Sequence, residues 1–248
     1  MGTTTSKSGV IISENYRDNL IISKYDNQFF NMRAEKMDKM CSENSEDVLT
    51  WNVFKSLSQI DPKLWLSNIF SKAFEAEFSY NALVKVDLWK SIEPPKSITD
   101  FQGPEGNTEA DIIIESDEFV WFIEAKYKSD IKMDTTNNKT RDQLLRNIDV
   151  GSFYAGDRDF YFSLLYFDEE KTKGGMERIE LYSNIGAYEF KTMLPHRSDN
   201  MENIKGIGKI KWLDFNQNYN SDNEFESLVN KNMVEYLKRI LLKKPNGT

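Results

Sequence analysis

The chain has 248 residues, of which 39% are hydrophobic and 29% charged, with 16 Phe, 11 Tyr and 5 Trp. That is enough apolar and aromatic material for a sizeable core, and it excludes wholesale disorder. The net charge of −8 at pH 7 argues against indiscriminate binding to nucleic acid through overall charge, and leaves a local basic cleft as the alternative. Cys41 is the only cysteine, so no internal disulfide forms and a reducing cytosol is the expected compartment. His196, the only histidine, stands between Pro195 and Arg197 and reads as a loop residue. Zinc sites and Ser-His-Asp machinery need more than that, so the available chemistry narrows to carboxylates and lysines. No segment approaches the ~18 consecutive apolar residues of a membrane span, and the first residues lack an apolar stretch followed by a cleavage site. The expectation is a cytoplasmic protein with no membrane partner.

Residues 1–42 read as a tail and a helical arm. In residues 28–40, Phe29, Phe30, Met32, Met37 and Met40 are available for packing on the main domain or on a second copy of the chain. Residues 43–248 read as the main domain. A helix is expected over residues 43–60, capped by Asn44 or Ser45, with Glu46 and Asp47 suiting its positive end. Val53 and Leu57 continue one stripe from Glu46, which spacing alone leaves as an ordinary first-turn acid. Asp61-Pro62 opens a second helix running to about residue 78. Residues 82–89 alternate and read as a strand. Pro94-Pro95 and Gly103-Pro104-Glu105-Gly106 mark a turn-rich loop over residues 91–107, either a plain connection or an edge of a site.

Residues 108–126 carry the strongest pattern. Two β-branched and aromatic runs flank Ser116-Asp117-Glu118, which predicts a tight β-hairpin. With Asp117 and Glu118 as the loop, Ser116 faces Phe119 and opposed residues have numbers summing to 235. Asp111 then stands across from Glu124, and Glu109 across from Lys126. One face holds Ala110, Ile112, Ile114, Phe119, Trp121, Ile123 and Ala125. The other holds Glu109, Asp111, Ile113, Glu115, Val120, Phe122, Glu124 and Lys126. Two carboxylates opposed on one face repel each other unless a cation stands between them, and a divalent ion is the simplest remedy.

A polar stretch follows through residue 138, and a helix is expected over residues 140–154. Leu144, Leu145, Ile148 and Phe153 are expected to face a sheet, with Gln143, Arg146 and Asn147 on one polar face. Residues 159–167 read as an apolar strand, residues 178–182 as another, and residues 185–194 as a short helix. Lys205, Lys209 and Lys211 lie on a segment with Gly206 and Gly208, as a basic strand edge or a groove lining. The last helix is expected over residues 224–244, with Phe225, Leu228, Met233, Leu237 and Leu241 on its apolar side.

Asp111, an apolar strand, a short turn, a second apolar strand and then Glu124-Ala125-Lys126 together resemble the signature of the PD-(D/E)XK nuclease superfamily, with Ala110 where the family name has Pro. The element order helix, strand, strand, strand, helix, strand over residues 45–167 is similar to that family's αβββαβ core. The resemblance implies an α/β restriction-endonuclease-like fold, a central mixed sheet flanked by helices, with helical additions at both ends. It implies Mg²⁺, with Mn²⁺ as a substitute, held by Asp111, Glu124 and the Ala125 carbonyl, and by Glu46 from the preceding helix. Lys126 would assist the attacking water and Gln143 would border the site, making Asp111, Glu124, Lys126 and Gln143 the catalytic set. Arg146 and Lys128 would contact nucleic acid, DNA ahead of RNA. A setting in defence against foreign DNA follows by analogy; a homodimer through the N-terminal arm, or a helicase or ATPase partner if the chain is a binding module, is the expectation for protein partners. A nuclease fold acting only as a binding or scaffolding subunit is the reading from another class.

Overall fold

The computed structural model describes residues 2–7, 9–23, 29, 32–95, 106–134 and 141–242. The chain divides into two compact units, Met1–Ile69 with Trp212–Thr248, and Phe70–Lys211. Phe30, much of the expected loop at 91–107, residues 135–140 at the end of the polar stretch and the expected start of the next helix, and Lys243 and Lys244 lie outside the described residues.

In the first unit a short antiparallel pair, β1 (Thr3–Thr5) and β2 (Ile11–Ser13), precedes α1 (Ala34–Lys39) and α2 (Glu46–Leu57). Ser45 caps α2 by accepting from the Val48 amide, and Glu46 is its first residue. Trp51, Val53, Phe54 and Leu57 are fully buried, and Phe54 meets Phe215 edge-on at 5.2 Å between ring centroids. The helix expected from Asp61 is broken in two. A 3-10 turn at Pro62–Leu64 gives way to α3 (Leu66–Phe74).

The last helix, α7 (Glu224–Leu241), packs on α2. Its buried stripe is Val229, Met233, Leu237 and Ile240, at i, i+4, i+8 and i+11. Phe225 and Leu228, expected on that side, are 51% and 56% exposed: Leu228 lies off this stripe, and Phe225 stands a turn ahead of Val229 at the very start of the helix.

The second unit is α/β, built on a five-stranded mixed sheet. Its strands are β3 (Lys85–Ile92), β4 (Thr108–Glu115), β5 (Phe119–Ala125), β6 (Asp159–Tyr166) and β7 (Ile204–Lys211), in that spatial order. The first three form an antiparallel meander, and β5, β6 and β7 are parallel. Helix α4 (Gln143–Ala155) connects β5 to β6, and α5 (Lys173–Ser183) and α6 (Ala187–Met193) connect β6 to β7. Parallel neighbours need such crossovers, and the helices cover the sheet.

The inner strands β4, β5 and β6 are consequently buried on both faces over most of their length. On one, Val120, Phe122, Phe160, Phe162 and Leu164 pack with Leu144, Leu145, Ile148 and Ile179 from α4 and α5. On the other, Trp121 meets Phe70 and Phe74 at 5.5 and 5.3 Å and donates to Ser163 Oγ at 2.9 Å. Gly208 lets the C-terminal end of α3 close on β7, since a Cβ there would stand 2.0 Å from the Ala73 carbonyl oxygen.

Two expectations fail in this unit. Residues 178–182 are helical, not a strand. Gly175, Ile179 and Tyr182 are buried at a helical spacing, and Asp130 accepts from the Gly174 and Gly175 amides at the start of α5. Phe153, expected to face the sheet, is 48% exposed and lies under the Arg197 guanidinium.

Candidate active site

The hairpin pairs in the expected register, from Glu115 with Val120 to Ile112 with Ile123. There the ladder ends. Asp111 and Glu124 do not form the next rung, nor Glu109 and Lys126 a further one. Instead the Asp111 carboxylate accepts from the Ala125 amide at 3.0 Å, so a side chain takes up a donor that the backbone pairing no longer satisfies. The neighbouring strand is distorted at the same level. Leu88 pairs with Ile112 and Lys90 with Ala110, and Trp89 between them has a φ of 52°. A bulky residue in that left-handed region is strained.

Beyond the parted strands, polar groups converge on residues 124–126. Glu124 is 2% exposed and Lys126 6%. Lys126 Nζ lies 2.5 Å from Glu124 Oε1 and donates to the Ala125 carbonyl at 3.0 Å. From the first turns of α4, Gln143 Nε2 donates to Glu124 Oε1 at 2.6 Å and Asn147 Nδ2 to Oε2 at 2.6 Å. The four-residue spacing sets both amides on one helix face. Burial of a carboxylate is costly unless a charge and hydrogen bonds compensate it, and here one ammonium and two amides do so. Gln143 is itself clamped, its backbone N–H donating to the Lys132 carbonyl at 2.9 Å and its side-chain oxygen accepting from the Lys132 amide at 3.1 Å.

Of the residues singled out from the sequence, Asp111, Glu124, Ala125, Lys126 and Gln143 are brought together. Arg146, half-buried, donates to the carbonyls of Gly106 and Asn107 at 2.8 and 3.2 Å, ahead of the strand that carries Asp111. Lys128 is exposed, with a φ of 61° and its ammonium over the Tyr127 ring. Glu46 belongs to the first unit, at the start of α2. Among the described residues no group of three or more His, Cys, Asp or Glu side chains stands together as a metal cage.

The donor set nevertheless has the chemistry of a hard divalent ion. Two carboxylates and a carbonyl oxygen gather at one strand end, and Mg²⁺ takes one or two carboxylates with water and substrate oxygens. A cation, the Lys126 ammonium, already touches two of those oxygens. The residues present fit such an ion.

Asn147 is the site residue that sequence reasoning passed over. Its only signal was the spacing from Gln143, which equally describes a solvated stripe.

The same helix is anchored by a second buried cluster that no local pattern announced. Asp149 is fully buried, and its carboxylate meets Arg141, Arg197 at 2.9 Å and His196 at 2.9 Å. Burial pushes the Asp149 carboxyl up, but the bonds to His196 and Arg197 and the charge of Arg141 outweigh it and hold it below the ordinary value. At the start of α4, Asp142 caps the Leu145 amide and accepts from the Tyr182 hydroxyl. Burial and that bond to a carboxylate push the Tyr182 phenol well up. At the far end of α4, Tyr154, Lys90 and Arg158 close on Glu115, with Lys90 Nζ 2.8 Å and Arg158 Nη1 3.0 Å from its oxygens. Burial opposes ionisation of Glu115, and these partners outweigh it, holding the carboxyl below its usual range.

No family model, no curated protein and no solved structure matches the chain. Its class is therefore given by its own geometry, an α/β protein with a five-stranded mixed sheet flanked by helices and a polar constellation where one hairpin opens. Among the described residues no helix is long and apolar enough to cross a membrane.

Proposed function

We propose that the protein is a metal-dependent nuclease hydrolysing phosphodiester bonds, of DNA in the first place, with a restriction-endonuclease-like core. The observation that carries this reading is the convergence of Asp111, Glu124, Lys126 and Gln143 on one strand end, in the order and on the elements that the PD-(D/E)XK pattern implies. Asp111, Glu124 and the Ala125 carbonyl would hold Mg²⁺ or Mn²⁺, which when bound supplies a water acidic enough to attack near neutral pH. Gln143 and Asn147 fix the Glu124 carboxylate in one orientation, so no reorganisation is required during reaction. Lys126 provides positive charge beside the reacting phosphate, and Arg146 and Lys128 supply contacts to the nucleic-acid backbone.

The test is a cleavage screen of the full chain against single- and double-stranded DNA and RNA, with and without Mg²⁺ or Mn²⁺. Metal-dependent cleavage that disappears in Asp111→Ala, Glu124→Ala and Lys126→Ala is the expected result. The proposal fails if none of these substrates is cut with either metal. One observation favours a second reading, a nuclease fold serving as a binding subunit: donors of the chain itself already engage both oxygens of Glu124. Metal-independent capture of a helicase or ATPase subunit from native extract, without cleavage, would select it.

A further inference from the structure

We infer that Lys126 is a built-in occupant of the cation position at Glu124, and that a divalent ion enters only by exchanging with it; this rests on reading the site as a metal centre. The ammonium is 2.5 Å from Glu124 Oε1 and 3.0 Å from the Ala125 carbonyl oxygen, two of the oxygens that would ligate the ion. A Mg²⁺ ion lies about 2.0–2.1 Å from its oxygens. An ion ligated by both oxygens would therefore crowd Nζ, and two cations do not share a notch of that size.

The surroundings favour exchange over rearrangement. Gln143 holds Oε1 and Asn147 holds Oε2, each at 2.6 Å, so the carboxylate keeps its position while one cation replaces another. Side-chain exposures of 2% for Glu124 and 8% for Lys126 leave little room for bulk water or salt to compensate either charge. The pocket therefore holds a counter-charge in both states, an ammonium before metal entry and a divalent ion after it. The displaced ammonium becomes available to an anionic substrate only once metal is in, which orders the two events, metal before substrate engagement by Lys126.

The experiment is a calorimetric titration of Mn²⁺ into the full chain without nucleic acid. Lys126→Met removes the charge and keeps the length, and it is expected to tighten Mn²⁺ binding by at least about tenfold. Lys126→Arg, which keeps the charge, is expected to bind no tighter than wild type, and Glu124→Gln is expected to lose binding. In wild-type protein, the rate of Lys126 acetylation by an amine-reactive ester, read by mass spectrometry, should rise several-fold in saturating Mg²⁺. This arm decides the matter if circular dichroism finds Lys126→Met unfolded. Equal or weaker Mn²⁺ binding by a folded Lys126→Met, no Mn²⁺ binding by either protein, or an acetylation rate that metal leaves unchanged or lowers overturns the inference. Tightened binding with no cleavage of any nucleic acid keeps the exchange and removes the nuclease reading.

Discussion

Replacing Asp149 by Asn keeps the volume of the side chain and removes its charge. Arg141 and Arg197, 2% and 4% exposed, then lose the carboxylate they share, while Asp199, whose side chain is 46% exposed, still pairs with Arg197. Breaking a buried charge cluster by removing one member costs about 3–5 kcal/mol. With a urea dependence of about 2–3 kcal/mol per molar, the unfolding midpoint of the second unit should fall by about 1–2.5 M at pH 7. Hydrogen exchange of α4 and β5 amides across a urea series follows that unit specifically.

The pH dependence gives a sharper check. The folded-state carboxyl lies below its unfolded value of 3.8, so Asp149 contributes its full stabilisation above that value. The contribution is lost as pH falls through the depressed folded value, because the unfolded chain takes up the proton first. The stability difference between wild type and Asp149→Asn should therefore shrink as pH falls below about 4. A variant within about 0.5 kcal/mol of wild type at pH 7, or a gap that widens in acid, would refute the cluster's role.

Two further perturbations follow from the same geometry. Asn147→Ala removes a donor to the buried Glu124 carboxylate and should cost about 1.5–3 kcal/mol in chemical denaturation, whereas a loss below about 0.5 kcal/mol would mean the bond at 2.6 Å contributes little. Gly208→Ala drives a Cβ into the Ala73 carbonyl, a backbone atom that cannot swing aside, and should cost upwards of about 1–3 kcal/mol; a melting curve unchanged from wild type would contradict the close approach of α3 to β7.

The hairpin was legible in the sequence because its information is local. Ser116-Asp117-Glu118 sets the turn, the turn sets the register, and the register holds from Glu115–Val120 through Ile112–Ile123. The parting of the strands below Ile112 was not legible, since nothing in a two-period pattern announces that Asp111 will bind an amide instead of extending a ladder. Residues 178–182 misled because a short apolar run suits either period. The burial of Gly175, Ile179 and Tyr182 along one stripe is what distinguishes a helix there.

Gln143 stood out only through the resemblance, which places a Gln on the helix after the second hairpin strand, while Asn147, four residues on, looked like an ordinary surface amide. The Asp149 cluster joins residues 141, 149 and 197, and separation of that kind leaves no trace in periodicity. His196 is indeed in a loop, between α6 and β7, but its ring is held against Asp149 and not left in solvent.

The mixed topology of the sheet also sets an order of assembly. The β3–β4–β5 meander joins neighbours in sequence, while β6 can pair with β5 only after α4 has crossed over. Nearby segments cost less entropy to close, so the antiparallel half is the cheaper to form first. During that interval the Glu124 carboxylate is already committed to a strand while its two amide partners are still on an undocked helix. The site is thus finished by the docking of α4, and the protein cannot present an oriented carboxylate before the crossover that encloses it is complete. Pulsed hydrogen exchange during refolding should accordingly protect β4 amides before those of the first turns of α4.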